Sequence, residues 1–143
     1  MTHAPVLNGQ VIGQAERATR AVLEVLLAES GAPFVSWVSL NLVGTQGETT
    51  ADSLVDQLVA GLRITDSEAR ASIDDLVRTA LMTSSDMVRL TAEGMARYQR
   101  ISDGIAEITR RLYRDLPHDD LVVARRVLET ITERARAELA NAT

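Results

Sequence analysis

Apolar residues recur at Val11, Ala15, Ala18, Val22 and Val25, with Leu26 beside the last, and these steps of three and four residues place one stripe along a helix from about Asn8 to Glu29. Gly31 and Pro33 end it. The next segment, FVSWVSLNLVG, is rich in β-branched residues and reads either as a buried strand or as a second helix. Its length and its place between two helices favour the helix, closed by Gly44 and Gly47. Thr49-Thr50-Ala51-Asp52 offers a capped start to a short helix whose inward face is Leu54, Leu58 and Val59 and which ends near Gly61. Thr65-Asp66-Ser67-Glu68 is a capping box: the threonine hydroxyl takes the Glu68 amide while the glutamate reaches back to the cap amide. It opens a helix that carries Ala69, Ile73, Leu76 and Val77 on one side and runs to about Leu81.

A tight link through Leu62 and Ile64 joins these two short helices as a helix-turn-helix. A polar patch follows Met82, then Met87-Val88-Arg89-Leu90 reads as a scrap of strand, which predicts a hairpin near 82–91 before Thr91 opens another helix. Met95, Tyr98, Ile101, Ile105, Ile108, Leu112 and Leu116 step by three or four until Pro117 breaks the run; Leu121, Ala124, Leu128, Ile131, Ala135 and Leu139 form the last stripe. Stripes this long at both ends of a small chain exceed what one compact domain needs to cover itself, and a homodimer is expected to bury the excess. The order predicts a mainly α fold: a winged helix-turn-helix with a short β-hairpin wing, flanked by long N- and C-terminal dimerisation helices.

Composition narrows the chemistry. At 143 residues the chain is one typical domain, able to bury about two-thirds of its unfolded surface on apolar contacts alone. Without cysteine, a disulfide framework, a thiol switch and a cysteine-ligated metal are excluded. MTHAPVLNGQV has neither a basic nor a continuous apolar leader region, and the greasiest stretch, AVLEVLLA, is interrupted by Glu24; a soluble cytoplasmic protein with no membrane partner is expected. All 15 basic residues are arginine, which reads as codon usage in a high-GC genome. The formal charge of -5 argues against a generally basic nucleic-acid coat but leaves room for a local patch. His3 and His118 are remote from each other, and the neighbours Asp74-Asp75 and Asp119-Asp120 point about 100° apart on a helix, a poor geometry for sharing a proton or a metal. With no glycine-rich phosphate loop, neither an enzyme nor a cofactor is expected.

Three segments carry a resemblance. LVRTALM at 76–82 looks like the end of a recognition helix, VRLTAEG at 88–94 is similar to the "LT-x-x-G" that closes a wing, and LPHDDLVVARRVLETITERARAEL at 116–139 looks like a C-terminal dimerisation helix. In these motifs, and in the order of helices across essentially the whole chain, the sequence resembles the MarR family of bacterial transcriptional regulators. The resemblance implies one domain over 1–143, with about 8–32 and 95–143 dimerising and about 33–94 forming the winged helix-turn-helix. It implies an intertwined homodimer that presents two recognition helices to successive major grooves of double-stranded DNA at a pseudo-palindromic operator. It implies also a small aromatic or phenolic ligand in a cleft between the dimerisation helices and the winged domain. Arg17, Arg20 and Trp37 are the ligand candidates, the alternatives being solvent-facing arginines and a plain core tryptophan.

For DNA, the face opposite the core stripe of the recognition helix presents Ser67, Ala71, Asp74, Asp75 and Arg78. The candidate contacts are Ser67 to a phosphate at the helix N-terminus, Arg70, Ala71, Asp74 and Arg78 along the helix, and Arg89 in the wing. The competing readings are solvated arginines, an i,i+4 pair of Asp74 with Arg70 or Arg78, and an Arg89–Asp86 pair. From Leu62 to Leu90 four arginines stand against five acids, and TSSDM at 83–87 is shorter than the family's wing and uncharged apart from Asp86. Two functions follow: a homodimeric DNA-binding transcriptional regulator tuned by a small ligand, or a dimeric ligand-sensing or protein-interaction module with weak or lost DNA binding.

Overall fold

The computed structural model describes residues 5–142, so His3 lies outside the described residues. The chain forms helices α1 (Gly9–Glu29), α2 (Phe34–Gln46), α3 (Ala51–Leu62) and α4 (Asp66–Arg78), strands β1 (Met82–Ser84) and β2 (Val88–Leu90), and helices α5 (Ala92–Leu112) and α6 (His118–Asn141). It packs as two compact units, Met1–Glu107 and Ile108–Thr143. Among the described residues no single helix is long and apolar enough to cross a membrane.

In the first unit, side-chain caps start helices where the sequence places them. Asn8 Oδ1 accepts from the Val11 amide at 3.0 Å, Thr50 Oγ1 from Ser53 at 3.1 Å and Thr65 Oγ1 from Glu68 at 3.0 Å, each satisfying an amide that has no partner inside its helix. The capping box differs in its second half. Glu68 Oε1 accepts from the Thr65 hydroxyl at 3.1 Å, because a hydroxyl whose lone pair takes the amide still has a proton to turn toward the carboxylate.

FVSWVSLNLVG is helical. Ser36, Trp37, Ser39, Leu40 and Val43 of α2 are all buried, and a helix covered on most sides shows no clean stripe, which is why the pattern alone left a strand open. Ser39 meets the demands of burial by donating to the Val35 carbonyl at 3.0 Å. The core adds Leu54, Val55 and Leu58 from α3, Ala69, Ile73 and Leu76 from α4, and Leu27, Met82, Val88 and Ile101. Two sequence assignments shift here. Val55 takes the fully buried place beside Leu54 and Leu58, with Val59 half-buried, and Val77 is 37% exposed at the rim of the α4 face rather than inside it.

Helix α4 also stops earlier than Leu81. Thr79 Oγ1 donates to the Asp75 carbonyl at 2.8 Å, Ala80 takes a left-handed conformation at φ 64, and the Leu81 amide returns to the Leu76 carbonyl at 2.9 Å. This is the six-to-one closure that ends many helices, with alanine where glycine is usual. The turn sets up an antiparallel hairpin pairing Met82 with Leu90, Thr83 with Arg89 and Ser84 with Val88. Thr49 joins it from before α3, its amide donating to the Val88 carbonyl at 3.2 Å and its carbonyl accepting from Val88 in return.

The LTAEG segment locks the hairpin to α5. Thr91 Oγ1 donates to the Ala80 carbonyl at 2.7 Å and accepts from the Gly94 amide at 2.9 Å, while the Thr91 amide donates to the Leu81 carbonyl at 3.1 Å. A Cβ on Gly94 would lie 1.9 Å from the Leu81 oxygen. Only glycine fits there.

The α1 stripe is bare in its own unit: Val11 is 42% and Val25 62% exposed, and Leu27 is the buried residue of that helix. The second unit is barer still. Helix α6 buries none of its residues, and Leu116, Val122, Val123, Leu128, Ile131 and Leu139 are exposed. Tyr113, Leu121, Ala124, Leu128 and Thr132 line an open groove of about 630 Å³ edged by Arg125, Glu129, Glu133 and Arg136. His118 begins α6 on the surface, and Asp119 and Asp120 place acids in its first turn, where the helix dipole favours them.

Candidate nucleic-acid interface

Burial of Ala69, Ile73 and Leu76 fixes how α4 faces solvent. At 3.6 residues per turn, Ser67, Ala71 and Arg78 lie within about 30° of the direction opposite that buried face, and Asp74 about 50° from it. All four are exposed. Arg70 and Asp75 flank this stripe, and Arg89 stands on the exposed side of β2. The residues expected from sequence therefore gather on the outer side of the helix-turn-helix and its hairpin.

The arginines are not idle cations. Arg70 Nε lies 2.9 Å from Asp66 Oδ1, and its Nη2 lies 3.0 Å from Asp52 Oδ1 at the start of α3. Hydrogen bonding to Asp52, then to Asp66, raises the guanidinium pKa above its ordinary value, so it stays charged throughout. Arg78 pairs with Asp75, and Arg89 with Glu48. Neither pair expected from sequence forms. Asp74 does not hold Arg70 because two other carboxylates already do, and Arg78 turns to Asp75 instead. Arg89 bonds Glu48 rather than Asp86 because the Thr49–Val88 bridge carries Glu48 alongside β2, whereas Asp86 sits in the hairpin tip. These are exposed pairs, and such pairs contribute little net stability, so a phosphate can take a carboxylate's place at small cost.

Sequence reasoning missed Asp52 and Glu48, whose partners are distant in the chain, and Arg63. Arg63 caps α3 in a left-handed conformation, φ 54, exposed in the turn between α3 and α4 and without an ion pair among the described residues.

The three ligand candidates occupy different settings. The Arg20 guanidinium lies 4.0 Å from the Phe34 ring centroid and between Glu16 and Glu24. Phe34 and Glu24, with Leu27, Ala28 and Pro33, line an open hollow of about 390 Å³. Arg17 folds back over Gly13, one turn earlier on α1. Trp37 is 7% exposed and stacks on Tyr98 at 5.9 Å between centroids, in the core rather than the hollow. No three His, Cys, Asp or Glu side chains gather to hold a metal among the described residues.

No protein-family model and no curated sequence matches the chain. Solved structures do. Ligand-free NadR superposes with a TM-score of 0.75 at 18% identity, over 94% of this chain and 98% of NadR. The chain has the MarR winged-helix fold. A second example of the MarR fold, the Mycobacterium tuberculosis MarR family protein Rv2887 in complex with DNA, gives a TM-score of 0.71 at 17% identity over 90% and 98% of the two chains. A third is BpsR of Bordetella bronchiseptica, whose DNA binding is regulated by 6-hydroxynicotinic acid, with a TM-score of 0.70 at 20% identity over 92% and 98%. Within the MarR fold, α3 and α4 are the helix-turn-helix and β1 and β2 the wing.

Proposed function

We propose that this protein is a DNA-binding transcriptional regulator that works as a homodimer on a pseudo-palindromic operator. The observation that carries the reading is the outward stripe of α4, Ser67, Ala71, Asp74 and Arg78, opposite its buried face and beside a hairpin bearing Arg89. A helix so displayed matches what a major groove admits, and the N-terminal amides behind Ser67 favour a phosphate. The bare face of α6 supports the dimer, since a long helix with no buried residue needs a partner to keep its order. Arg20 over Phe34, at the edge of an apolar hollow, supports a small aromatic anion as effector, with Arg17 one turn away and Trp37 supporting from the core.

The decisive measurement is gel-shift titration against the DNA upstream of its own gene at several salt concentrations, alongside sedimentation of the free protein. A specific shift with a steep salt dependence and a sedimenting dimer are expected. The second reading, a sensor or interaction module that no longer binds DNA, is favoured by one observation: Arg70, Arg78 and Arg89 are each held by carboxylates of the same chain. Absence of any shift at low salt would select it.

A further inference from the structure

The acids of α4 divide by what they do within the chain. Asp66 holds Arg70, Glu68 takes the Thr65 hydroxyl of its own cap, and Asp75 holds Arg78. Asp74 has no hydrogen bond or ion pair among the described residues, is exposed, and sits at the edge of the outward stripe, about one turn from both Ala71 and Arg78. Local structure explains three carboxylates and leaves Asp74 without a partner among the described residues. Anions beside DNA are repelled by phosphates, so a carboxylate on this face is tolerable only where it meets a donor. In the major groove the donor that suits a carboxylate is the exocyclic amino group of cytosine. Arg70 and Arg78, four residues to either side of Asp74, supply positive charge to this approach once backbone phosphates replace the carboxylates that hold them.

Resting on the DNA-binding reading above, we infer that Asp74 is a specificity-determining residue that selects cytosine by accepting from its exocyclic amino group, with Ala71 packed on a neighbouring thymine methyl. The two residues are about 4.5 Å apart along the helix axis, close to the spacing of about 3.4 Å between successive bases. The operator half-site then contains a cytosine with a thymine nearby. Alanine against thymine methyl and carboxylate against cytosine amino group are both recognised groove pairings.

The test is selection of binding sequences from a random duplex pool at low salt with the wild-type protein, Asp74→Asn and Asp74→Ala. Wild type should enrich cytosine at one fixed position of each half-site. Asp74→Asn should move that position to adenine, whose edge asparagine pairs with in two hydrogen bonds, and Asp74→Ala should leave it unspecified. Swapping the base against wild type should cost roughly 5- to 150-fold in affinity. Enrichment of the same cytosine by all three proteins overturns the role of Asp74 while leaving DNA binding intact. Failure of wild type to enrich any sequence overturns the DNA-binding reading and this inference with it.

Discussion

Replacing Gly94 by alanine probes the joint between hairpin and α5. The added Cβ would fall 1.9 Å from the Leu81 carbonyl oxygen and 2.9 Å from its carbon, so backbone must move by more than an ångström. Neither side is free to do so: the Leu81 amide is bonded to Leu76, its carbonyl accepts from Thr91, and Thr91 also holds Ala80. Overpacking of this kind costs about 1–3 kcal/mol, and losing the two Thr91 hydrogen bonds adds about 1 kcal/mol each. Against this stands a gain of about 1 kcal/mol from alanine's better helix propensity. The net expectation is a loss of about 2–4 kcal/mol. Urea denaturation at fixed protein concentration, followed by fluorescence of buried Trp37 and by circular dichroism, measures it. Gly61→Ala is the matched control: nothing lies within 4 Å of its added Cβ, and it should stabilise by about 0.5–1 kcal/mol. If Gly94→Ala proves as stable as wild type, the close approach at Leu81 is refuted.

Other perturbations test the interface and the bare faces. Arg78→Ala and Arg89→Ala should each lower the salt slope of DNA binding by about one, read from gel shifts at varied salt, and an unchanged slope would remove that arginine from the backbone contacts. Glu48→Gln should release Arg89 and tighten DNA binding several-fold at low salt without altering the circular dichroism spectrum. Leu128→Glu, on the exposed face of α6, should weaken self-association by at least tenfold in ultracentrifugation while the fluorescence of Trp37 stays native.

What was legible in the sequence was local. Asn8, Thr50 and Thr65 mark helix starts because a cap is decided by residues three positions apart. The outward face of α4 followed from 3.6-residue geometry once Ala69, Ile73 and Leu76 were recognised as buried. Pairings across the fold were illegible: Asp52 with Arg70 depends on how α3 packs on α4, and Glu48 with Arg89 depends on the Thr49–Val88 bridge, which no periodicity announces. Thr49 read as part of a helix cap for the same reason. The end of α4 was misplaced because Leu81 continues the apolar spacing of the helix while actually following a left-handed alanine, and sequence gives little sign of a non-glycine residue in that conformation.

The two reciprocal hydrogen bonds between Thr49 and Val88 couple the chain leaving α2 to the hairpin. Helix α2 ends at Gln46, only a few bonds upstream of that clasp. Val88 is the neighbour of Arg89 in β2, so a rotation of α2 that displaced Thr49 would act on the strand that carries Arg89. Phe34, at the edge of the hollow beside Arg20, begins the helix whose other end leads to that clasp.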